Sequence, residues 1–352
     1  MRTLIVPMAG RSSRFPNLRP KWMLSHPMTN SFMAISSIQG LNLDYFDKIY
    51  FVALEEHQNK YMFIDGFLSG LNEIGIAEKS EVVLLPHSTS SQAETVYQLI
   101  QNKNIQGFIF IKDSDGYYEC QLNSDINQVA YFDLNDMDDI NARSKSYVEL
   151  DENGVLLNIV EKKVISSTFS SGGYGFADAQ VFAKTYEKMG ESDGECYISH
   201  IVFELILSGH KFEGLKTSNF KDWGTLESWN KYRSQYKTLF VDIDGTLITN
   251  TSVHFSPYIG EGNSLQSNID TLNLLYSQGK VKIILTTSRP ESCREKTIKE
   301  LQDKNISYDQ LIMGLPHCQR VLINDFSKSN PYPTAVAINI PRNNDNLLEF
   351  FN

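Results

Sequence analysis

The order of apolar runs is the feature that most constrains how this chain can fold. Residues 4–6, 47–54 and 81–86 are short runs rich in apolar side chains, and the segment 59–76 between the second and third has helical apolar spacing. Strand, helix and strand in this rhythm predict a parallel sheet with crossover helices. Ligands of such sheets bind at the carboxyl ends of strands, so the residues that follow each run are the first candidates for a site.

Length and composition limit what kind of protein this chain is. Its 352 residues exceed one ordinary core and predict two domains, for which a hydrophobic content of 41% is ample. The formal net charge of −10 argues against a nucleic-acid partner, because binding to nucleic acid needs a basic surface. If an acidic protein of this kind binds an anionic ligand, it must concentrate positive charge locally or recruit a divalent metal.

Cysteine usage and the first residues bear on the compartment. The four cysteines are scattered without a CxxC pair, which favours reduced thiols over a zinc site or a disulfide framework. No segment approaches the ~18 apolar residues of a membrane span, and no signal-peptide pattern precedes the first apolar run. We therefore expect a cytoplasmic protein without a membrane span, and an acidic α/β protein of this kind is compatible with a monomer or a homodimer.

Residues 7–21 follow the first apolar run and combine small residues with basic ones. The small residues are Ala9, Gly10, Ser12 and Ser13. Small residues let the backbone approach a phosphate group closely and point N–H groups at it. Arg14 offers a guanidinium fork for phosphate oxygens, and Lys21 offers a point charge. The segment is therefore a candidate cradle for a triphosphate, with a solvated basic turn as the alternative; it is not a Walker loop, because no Gly-Lys-Ser/Thr opens a helix.

Two polar segments lie where later apolar runs end. Asp113 and Asp115 follow the run 107–112 directly, where a carboxylate beside a phosphate site is a natural ligand for Mg²⁺. An acidic turn without function is the alternative. Gln92 and Thr95 lie in a stretch rich in Ser and Thr ahead of a helix. They either cap that helix or bind a nucleotide, with Gln92 at a pyrimidine edge and Thr95 near the phosphates.

The first loop also carries a family signature. Its sequence AGRSSRF, followed by PK at residues 20–21, resembles the signature loop of the sugar-phosphate nucleotidyltransferases, which that family writes as Gly-x-Gly-x-Arg followed by Pro-Lys. The resemblance implies that the nucleotide phosphates are held by Gly10, Ser12, Ser13 and Arg14. Lys21 would neutralise charge near the reacting α-phosphorus. A Ser-Ser pair in place of the second glycine is similar to cytidylyltransferase-like and capsule-type members, so the resemblance favours CTP.

Other motifs of the same family follow in its order over residues 1–230. Asp113 matches the strand-end ligand of a magnesium ion. The sequence DWGT at 222–225 resembles the family's closing Asp-x-Gly-Thr motif, whose aspartate joins the first ligand on the metal. The resemblance therefore implies that Asp113 and Asp222 bind Mg²⁺ together.

The same resemblance implies a pocket for an acceptor. Glu161 and Lys162 match a Glu-Lys pair in the part that binds the acceptor sugar, with a surface salt bridge as the alternative. Gly173 lies in a glycine-rich stretch similar to one that lines the sugar pocket. The implied reaction is attack of a sugar-phosphate or polyol-phosphate oxygen on the α-phosphorus of a nucleoside triphosphate, with release of pyrophosphate. Such a step needs mainly alignment and charge neutralisation.

A second motif, DIDGT at residues 242–246, follows a new apolar run. It resembles the haloacid-dehalogenase superfamily of phosphohydrolases. The resemblance implies that Asp242 attacks phosphorus to give an aspartyl phosphate and that Asp244 serves as acid and then as base. Thr287, at the end of the apolar run that begins at residue 282, would bind the phosphoryl group.

The resemblance also implies a magnesium site in this second half. Its ligands would be Asp242, the backbone carbonyl of Asp244, and Asp325 at the end of an expected strand over 320–325. Many members carry a lysine shortly before that strand, in a Gly-Lys-Pro setting, whereas this chain has GLP there. Arg320 or Lys296 would substitute for the lysine.

These observations predict an α/β protein of two domains. Residues 1–236 would form a mixed, mostly parallel Rossmann-like nucleotidyltransferase sheet, and residues 237–352 a smaller Rossmannoid haloacid-dehalogenase-like phosphatase domain. The expected function is a bifunctional enzyme of capsular or other surface-polysaccharide precursor synthesis, which transfers a nucleotidyl group and hydrolyses a phosphomonoester. The alternatives are a transferase with a structural C-terminal domain, a phosphatase whose N-terminal domain only binds a nucleotide, and a non-enzymatic scaffold or nucleotide sensor.

Overall fold

The computed structural model describes residues 1–10, 18–136, 145–190, 196–250, 262–325 and 335–351. These residues form two compact units, Met1–Tyr232 and Arg233–Asn352. Among the described residues, no helix combines the length and the apolar character that crossing a lipid bilayer requires.

The first unit is built around a mixed sheet. Its strands are β1 (Thr3–Pro7), β2 (Lys48–Leu54), β3 (Ser80–Leu85), β4 (Ile109–Lys112), β5 (Gly116–Glu119), β6 (Gln128–Asp133), β7 (Ser146–Leu150), β8 (Leu156–Glu161), β9 (Thr168–Phe176), β10 (Glu213–Lys216) and β11 (Ser218–Asp222). The sheet has the order β10-β6-β9-β4-β1-β2-β3, with β7 beside β8 and β9, while β5 and β11 form a separate antiparallel pair. Strands β4, β1, β2 and β3 are parallel, and β9 is antiparallel to β4 and β6. The prediction of a mixed, largely parallel sheet is confirmed.

Helices cover both faces of this sheet. They are α1 (Met33–Ile38), α2 (Glu55–Tyr61), α3 (Ile64–Glu73), α4 (Gln92–Lys103), α5 (Ala179–Met189), α6 (Ile198–Leu207) and α7 (Leu226–Ser234). Successive side chains of a strand point to opposite faces, so Ile5 of β1 joins Val96 of α4 in one core cluster and Leu4 joins Phe67 of α3 in the other. Burial on both faces explains why β1 is a continuous apolar run.

The second unit has a smaller parallel sheet. Its elements are β12 (Lys237–Asp242), α8 (Gln266–Ser277), β13 (Val281–Thr286), α9 (Arg294–Asp303) and β14 (Gln310–Ile312). The strands lie in chain order β12-β13-β14 and are parallel, so α8 and α9 are the crossover helices. Its core contains Ile243, Leu272 and Ile283.

The expected strand over residues 320–325 was wrong. This segment has no regular secondary structure, and the side chains of Val321 and Ile323 are 69% and 90% exposed. An apolar triplet becomes a strand only when a neighbouring strand accepts its backbone hydrogen bonds. In this protein β14 pairs with β13. The apolar triplet 321–323 by itself gave no information about whether a neighbouring strand would be available to it.

Candidate active site

A cavity of 930 Å³ opens in the first unit where strands of the main sheet end. Its wall comes from residues that follow β1, β3 and β4, and from parts of β9 and β11. Because β1, β3 and β4 belong to one parallel set, their carboxyl ends meet at the same edge of the sheet. The cavity therefore lies where the order of strands and helices predicts a ligand.

Most site residues predicted for the first half lie on the wall of this one cavity. They are Ala9, Gly10, Lys21, Gln92, Thr95, Asp113, Glu161, Lys162 and Asp222. The predicted phosphate ligands Ser12, Ser13 and Arg14 lie outside the described residues.

Gly173 is placed differently from the expectation. Its neighbours Gly172 and Tyr174 line the cavity, whereas Gly173 faces the interior of the sheet. A Cβ on Gly173 would stand 2.0 Å from the Tyr118 hydroxyl and 2.8 Å from Cβ of Ala130. Position 173 therefore requires glycine because Tyr118 and Ala130 pack directly against it. This side of β9 does not face the cavity.

The aspartate that follows β4 is held tightly in place. Gln92, the first residue of α4, donates from Nε2 to Oδ1 of Asp113 at 2.6 Å, and the Asp113 backbone N–H donates to the Gly172 carbonyl at 2.8 Å. Gly172 has a φ of +85°, and a Cβ there would stand 2.4 Å from Oδ2 of Asp113. Gln92 thus contacts the carboxylate, a role that the sequence reasoning did not foresee.

Burial raises the pKa of the Asp113 carboxyl above its ordinary value, and the negative charge of Asp115 raises it further. The hydrogen bond from Gln92 and the charges of Lys112 and Lys21 oppose this rise. A cation beside both aspartates would relieve their repulsion, so the pair is suited to bind one.

Lys112 is a buried residue that the sequence reasoning missed. It ends β4, and its Nζ donates to the carbonyls of Asp113 at 2.8 Å and Gly116 at 2.7 Å while lying 4.5 Å from the centre of the Tyr118 ring. Burial lowers the pKa of Lys112 to about 8. The ammonium therefore links the two ends of the acidic turn 113–116 through their carbonyl groups. The only sequence signal for this role was a charged residue at the end of an otherwise apolar run.

Asp222 is brought beside the turn that follows β4 by the antiparallel pairing of β5 with β11. In that pair Asp222 lies opposite Gly116, and the Trp223 N–H donates to the Asp115 carbonyl at 3.0 Å. A Cβ on Gly224 would lie 3.1 Å from Oδ1 of Asp222 and 3.3 Å from Oδ2 of Asp115. Two carboxylates more than a hundred residues apart in the chain therefore border one point of the cavity.

Lysines neutralise both of these carboxylates. Lys21 forms an ion pair with Asp115, and Nζ of Lys145 lies 2.7 Å from Oδ2 of Asp222. All four side chains are less than one fifth exposed, so solvent screens these pairs weakly. Lys145 has no counterpart among the predicted site residues, since it precedes β7 without any motif.

Polar residues from β7, β8 and α6 form another part of the wall. Glu161 accepts hydrogen bonds at Oε2 from the hydroxyls of Ser146 and, at 2.9 Å, Ser199. Lys162 donates to the Tyr197 hydroxyl, and its Nζ lies 4.3 Å from the centre of that ring. Glu161 and Lys162 therefore each have polar partners on the wall of the cavity.

Thr95 has a partner inside the protein. Its side chain is 2% exposed, and its hydroxyl lies 2.7 Å from that of Thr89 and donates to the Ser91 carbonyl. Ser91 caps α4, accepting from the Glu94 N–H at 3.1 Å. The polar stretch thus caps the helix, which is one of the two roles predicted for it from the sequence. Thr95 also lines the cavity.

The donor set fits a magnesium ion. Among the described residues there is no group of three or more His, Cys, Asp or Glu side chains arranged to hold a metal. Mg²⁺ prefers oxygen ligands and is commonly held by one or two carboxylates together with phosphate oxygens and water. Asp222 with Asp113 or Asp115 supplies that number of carboxylates, so the metal would depend on a bound polyphosphate for further ligands.

The second unit places its predicted aspartates beside two arginines. Oδ1 of Asp242, at the end of β12, accepts from Nη1 of Arg320 at 2.9 Å. Burial raises the pKa of Asp242, and the Arg320 contact opposes this rise. Asp244 binds Arg289 through both oxygens, at 2.7 and 2.9 Å. Of the two proposed substitutes for the missing lysine, Arg320 is the one that contacts Asp242.

Arg289 connects Asp244 to α9. Its side chain is 1% exposed and its Nη1 donates to Glu300 at 2.7 Å. Thr287 is also 1% exposed and donates from its hydroxyl to Asp244 at 3.3 Å. The threonine therefore lies beside Asp244 but is turned inward. Asp325 lies in the exposed segment that forms no strand. Sequence reasoning missed Arg289 and Glu300, which carry no signal beyond an arginine after a buried run.

Comparisons with known proteins support the fold of the chain. No protein-family model matches the sequence, and no curated protein matches it. The crystal structure of a nucleoside-diphosphate-sugar pyrophosphorylase from Vibrio cholerae RC9 is similar, with 20% identity and a TM-score of 0.55 over 66% of this chain and 99% of that chain.

Two further solved structures are similar over the same share of this chain, 66%. The inositol-1-phosphate CTP transferase from T. maritima has 14% identity, 95% coverage of that chain and a TM-score of 0.53. A UDP-glucose pyrophosphorylase complexed with UDP-glucose has 13% identity, 97% coverage of that chain and a TM-score of 0.51. At these identities the likeness shows that this part of the chain shares the fold of those proteins.

Proposed function

We propose that this chain is a Mg²⁺-dependent sugar-phosphate nucleotidyltransferase whose active site is the cavity of the first unit. The observation that carries the proposal is that Asp113, Asp115 and Asp222 line one cavity together with Lys21 and Lys145, at the strand ends of a nucleotidyltransferase-like fold. Carboxylates to hold a metal and lysines to face phosphates are the groups that nucleotidyl transfer needs.

In this proposal the chain acts mainly by alignment and by charge. A phosphate oxygen of the acceptor attacks the α-phosphorus, its bond to that phosphorus forms as the bond to the leaving pyrophosphate breaks, and no proton transfer is required. When bound, Mg²⁺ would supply charge neutralisation at the phosphate oxygens. Lys21 lies on the cavity wall beside Asp115 and would neutralise negative charge near the reacting α-phosphorus. Ser12, Ser13 and Arg14 are proposed to hold the nucleotide phosphates with Gly10.

We assign CTP as the preferred nucleotide and a sugar or polyol phosphate as the acceptor. The first assignment is supported by the Ser-Ser pair of the first loop, and a CTP transferase is among the proteins of similar fold. The second is supported by the polar network around Glu161, whose carboxylate is positioned to accept hydrogen bonds from hydroxyl groups. Such a product would serve as an activated precursor of a capsular or other surface polysaccharide made in the cytoplasm.

The test is a panel of CTP, UTP and dTTP against sugar and polyol phosphates with Mg²⁺, read as release of pyrophosphate. We expect one pair to turn over and Asp222→Asn to lower kcat by about 100-fold or more, since it removes a charged ligand at the reacting centre. Asp65→Asn is the matched control, because it removes the same charge from an exposed position on α3, away from the cavity. Absence of turnover with every pair would contradict the proposal.

A phosphatase activity of the second unit is a second candidate. It is supported by the sequence DIDGT, which resembles the haloacid-dehalogenase motif, and by the contact of Arg320 with Asp242, which supplies a cation where many members of that superfamily carry a lysine. Asp244 would have to leave its paired contact with Arg289 to deliver a proton to a leaving group. Thr287 and Asp325 are kept as its proposed phosphoryl and magnesium ligands.

Hydrolysis of p-nitrophenyl phosphate tests this second activity. We expect phosphate release that Asp242→Asn abolishes while pyrophosphate release by the first unit stays unchanged. Phosphate release that survives Asp242→Asn would contradict a role for Asp242. Release that is absent from the unaltered protein with p-nitrophenyl phosphate and with a panel of sugar phosphates would favour a structural second unit.

A further inference from the structure

Lys145 lines the cavity, and no sequence motif explains its presence there. It immediately precedes β7, and its carbonyl accepts a hydrogen bond from the Lys162 N–H at 2.9 Å. The next residue, Ser146, pairs in register with Glu161. The backbone of Lys145 is therefore fixed to the part of the wall proposed to hold the acceptor, while its side chain binds Asp222, the proposed metal ligand.

The two oxygens of Asp222 have different kinds of partner. Oδ1 accepts from the Gly224 N–H at 2.9 Å, and Oδ2 accepts from Nζ of Lys145 at 2.7 Å. The amide belongs to a turn that begins at the paired strand β11, so its position is set by the backbone. The ammonium stands at the end of a four-carbon chain with several rotatable bonds. A metal ion that binds Asp222 would therefore displace the lysine more easily than the amide.

The surroundings of Lys145 keep a displaced ammonium in the cavity. Its side chain is 14% exposed, and its Nζ lies 5.2 Å from the centre of the Phe220 ring and 5.9 Å from that of Phe169. A charge in this setting is costly without a partner of opposite sign. Once Asp222 is engaged by a metal, the ammonium needs another partner of opposite charge, and an anion bound in the same cavity would supply one.

We propose that Lys145 is a phosphate-binding residue that pairs with Asp222 in the ligand-free protein and turns to the acceptor's phosphate group when a divalent metal binds Asp222. This rests on the proposed function, because it takes Asp222 as a metal ligand. Metal and phosphate then bind cooperatively, since each removes the partner that the other would have to displace. Lys145 is both the internal competitor of the metal and a ligand of the phosphate.

The sign of the effect on metal binding separates this proposal from a structural role. With Mn²⁺ alone as the probe, followed by its free electron paramagnetic resonance signal, we expect Lys145→Met to bind the ion about tenfold more tightly, because one competing positive charge is gone. Lys145→Arg retains the charge and should stay near the unaltered protein. Lys184→Met is the matched control, since Lys184 is exposed on α5. Unchanged or weaker Mn²⁺ binding in Lys145→Met would overturn the proposal.

Cooperativity gives a second readout that does not depend on turnover. With inorganic phosphate as the probe in calorimetry, we expect Mn²⁺ to tighten phosphate binding to the unaltered protein and to tighten it several-fold less in Lys145→Met. An equal enhancement in both proteins would overturn the proposal, because the phosphate would then be bound without Lys145.

The two proposals fail in distinguishable ways. If Asp222→Asn binds Mn²⁺ as well as the unaltered protein does, the metal site itself is wrong, and both fall. If pyrophosphate release is observed and Lys145→Met leaves Mn²⁺ binding unchanged, the transferase stands and the exchange of Lys145 falls.

Discussion

At the scale of single residues, Gly172 decides where a carboxylate of the site stands. It has a φ of +85°, which costs a residue with a side chain roughly 1–2 kcal/mol. A Cβ would also meet Oδ2 of Asp113 at 2.4 Å, so the carboxylate would have to move. The backbone conformation and the position of Asp113 therefore both require glycine.

We expect Gly172→Ala to lower both the stability of the protein and its rate of pyrophosphate release. Gly154→Ala is the matched control, because Gly154 has a φ of +78° but nothing within 4 Å of its Cβ position. Gly154→Ala should lose only the roughly 1–2 kcal/mol of free energy of unfolding that comes from the positive φ, and it should keep its rate. Urea denaturation and the pyrophosphate assay measure the two quantities; equal rates in both variants would contradict a role for Gly172 in placing Asp113.

The lowered pKa of His26 predicts how the stability of the protein depends on pH. It lies 2.7 Å from the Tyr232 hydroxyl, and burial lowers its pKa to about 4. The unfolded chain, with a pKa of about 6.5, binds a proton more readily than the folded protein. Stability from the neutral imidazole is therefore fully present above pH 6.5 and is lost as the pH falls towards 4.

Between pH 7 and pH 4 the free energy of unfolding should decrease in both proteins. We expect this decrease to be about 1–3 kcal/mol smaller in His26→Gln than in the unaltered protein. Tryptophan fluorescence during urea denaturation is the measurement, because Trp22, Trp223 and Trp229 all belong to the first unit. His210→Gln, which changes an exposed histidine, should follow the unaltered protein. Parallel pH profiles for all three proteins would show that His26 titrates normally.

At the scale of elements, contacts between separate strands and helices assemble each site. The pair β5 and β11 brings Asp222 beside the turn after β4, and the registry of Asp222 with Gly116 fixes that placement. In the second unit, Arg289 joins the loop after β12, the end of β13 and helix α9 through Asp244 and Glu300.

Removing Arg289 would leave two carboxylates, Asp244 and Glu300, without their shared cation. Loss of one partner from a buried ion pair typically costs about 3–5 kcal/mol, so we expect Arg289→Met to destabilise the second unit by that order. Glu300→Gln should cost less, because a neutral amide oxygen still accepts the hydrogen bond from Arg289. Thermal melting followed by circular dichroism checks the ranking, and an equal loss in both variants would contradict it.

At the scale of the whole molecule, the chain has separate cores. The clusters around the main sheet use residues up to Trp229, and the cluster of the second unit begins at Val241. Each unit therefore buries its own apolar side chains, which is the property expected of an independently folding domain.

A fragment of residues 1–236 tests the predicted domain boundary. It retains α7 (Leu226–Ser234) and the core around Trp223 and Trp229. We expect it to be expressed in folded form, to unfold in urea with the same fluorescence midpoint as the full chain, and to release pyrophosphate. A fragment that unfolds at a clearly lower urea concentration would show that the first unit depends on the rest of the chain.

Several features of this protein follow from its sequence alone, because they depend on local order. Buried strands read as apolar runs, their parallel arrangement follows from the helices between them, and site residues lie directly after the runs. Asp113 could therefore be expected at the edge of the sheet where the parallel strands end, because it follows an apolar run directly. The prediction that Asp222 joins it rests on the resemblance of residues 222–225 to a family motif.

Only the tertiary structure decided which charged residues meet. Lys145 and Asp222 are far apart in the chain, Lys112 is bonded beneath a turn, and Arg289 bridges two carboxylates from different elements. None of these contacts has a periodic signal, because each depends on how elements distant in sequence are packed. The missing strand over 320–325 has the same cause, since hydrogen bonding to a neighbouring strand is a property of the fold and not of an apolar triplet.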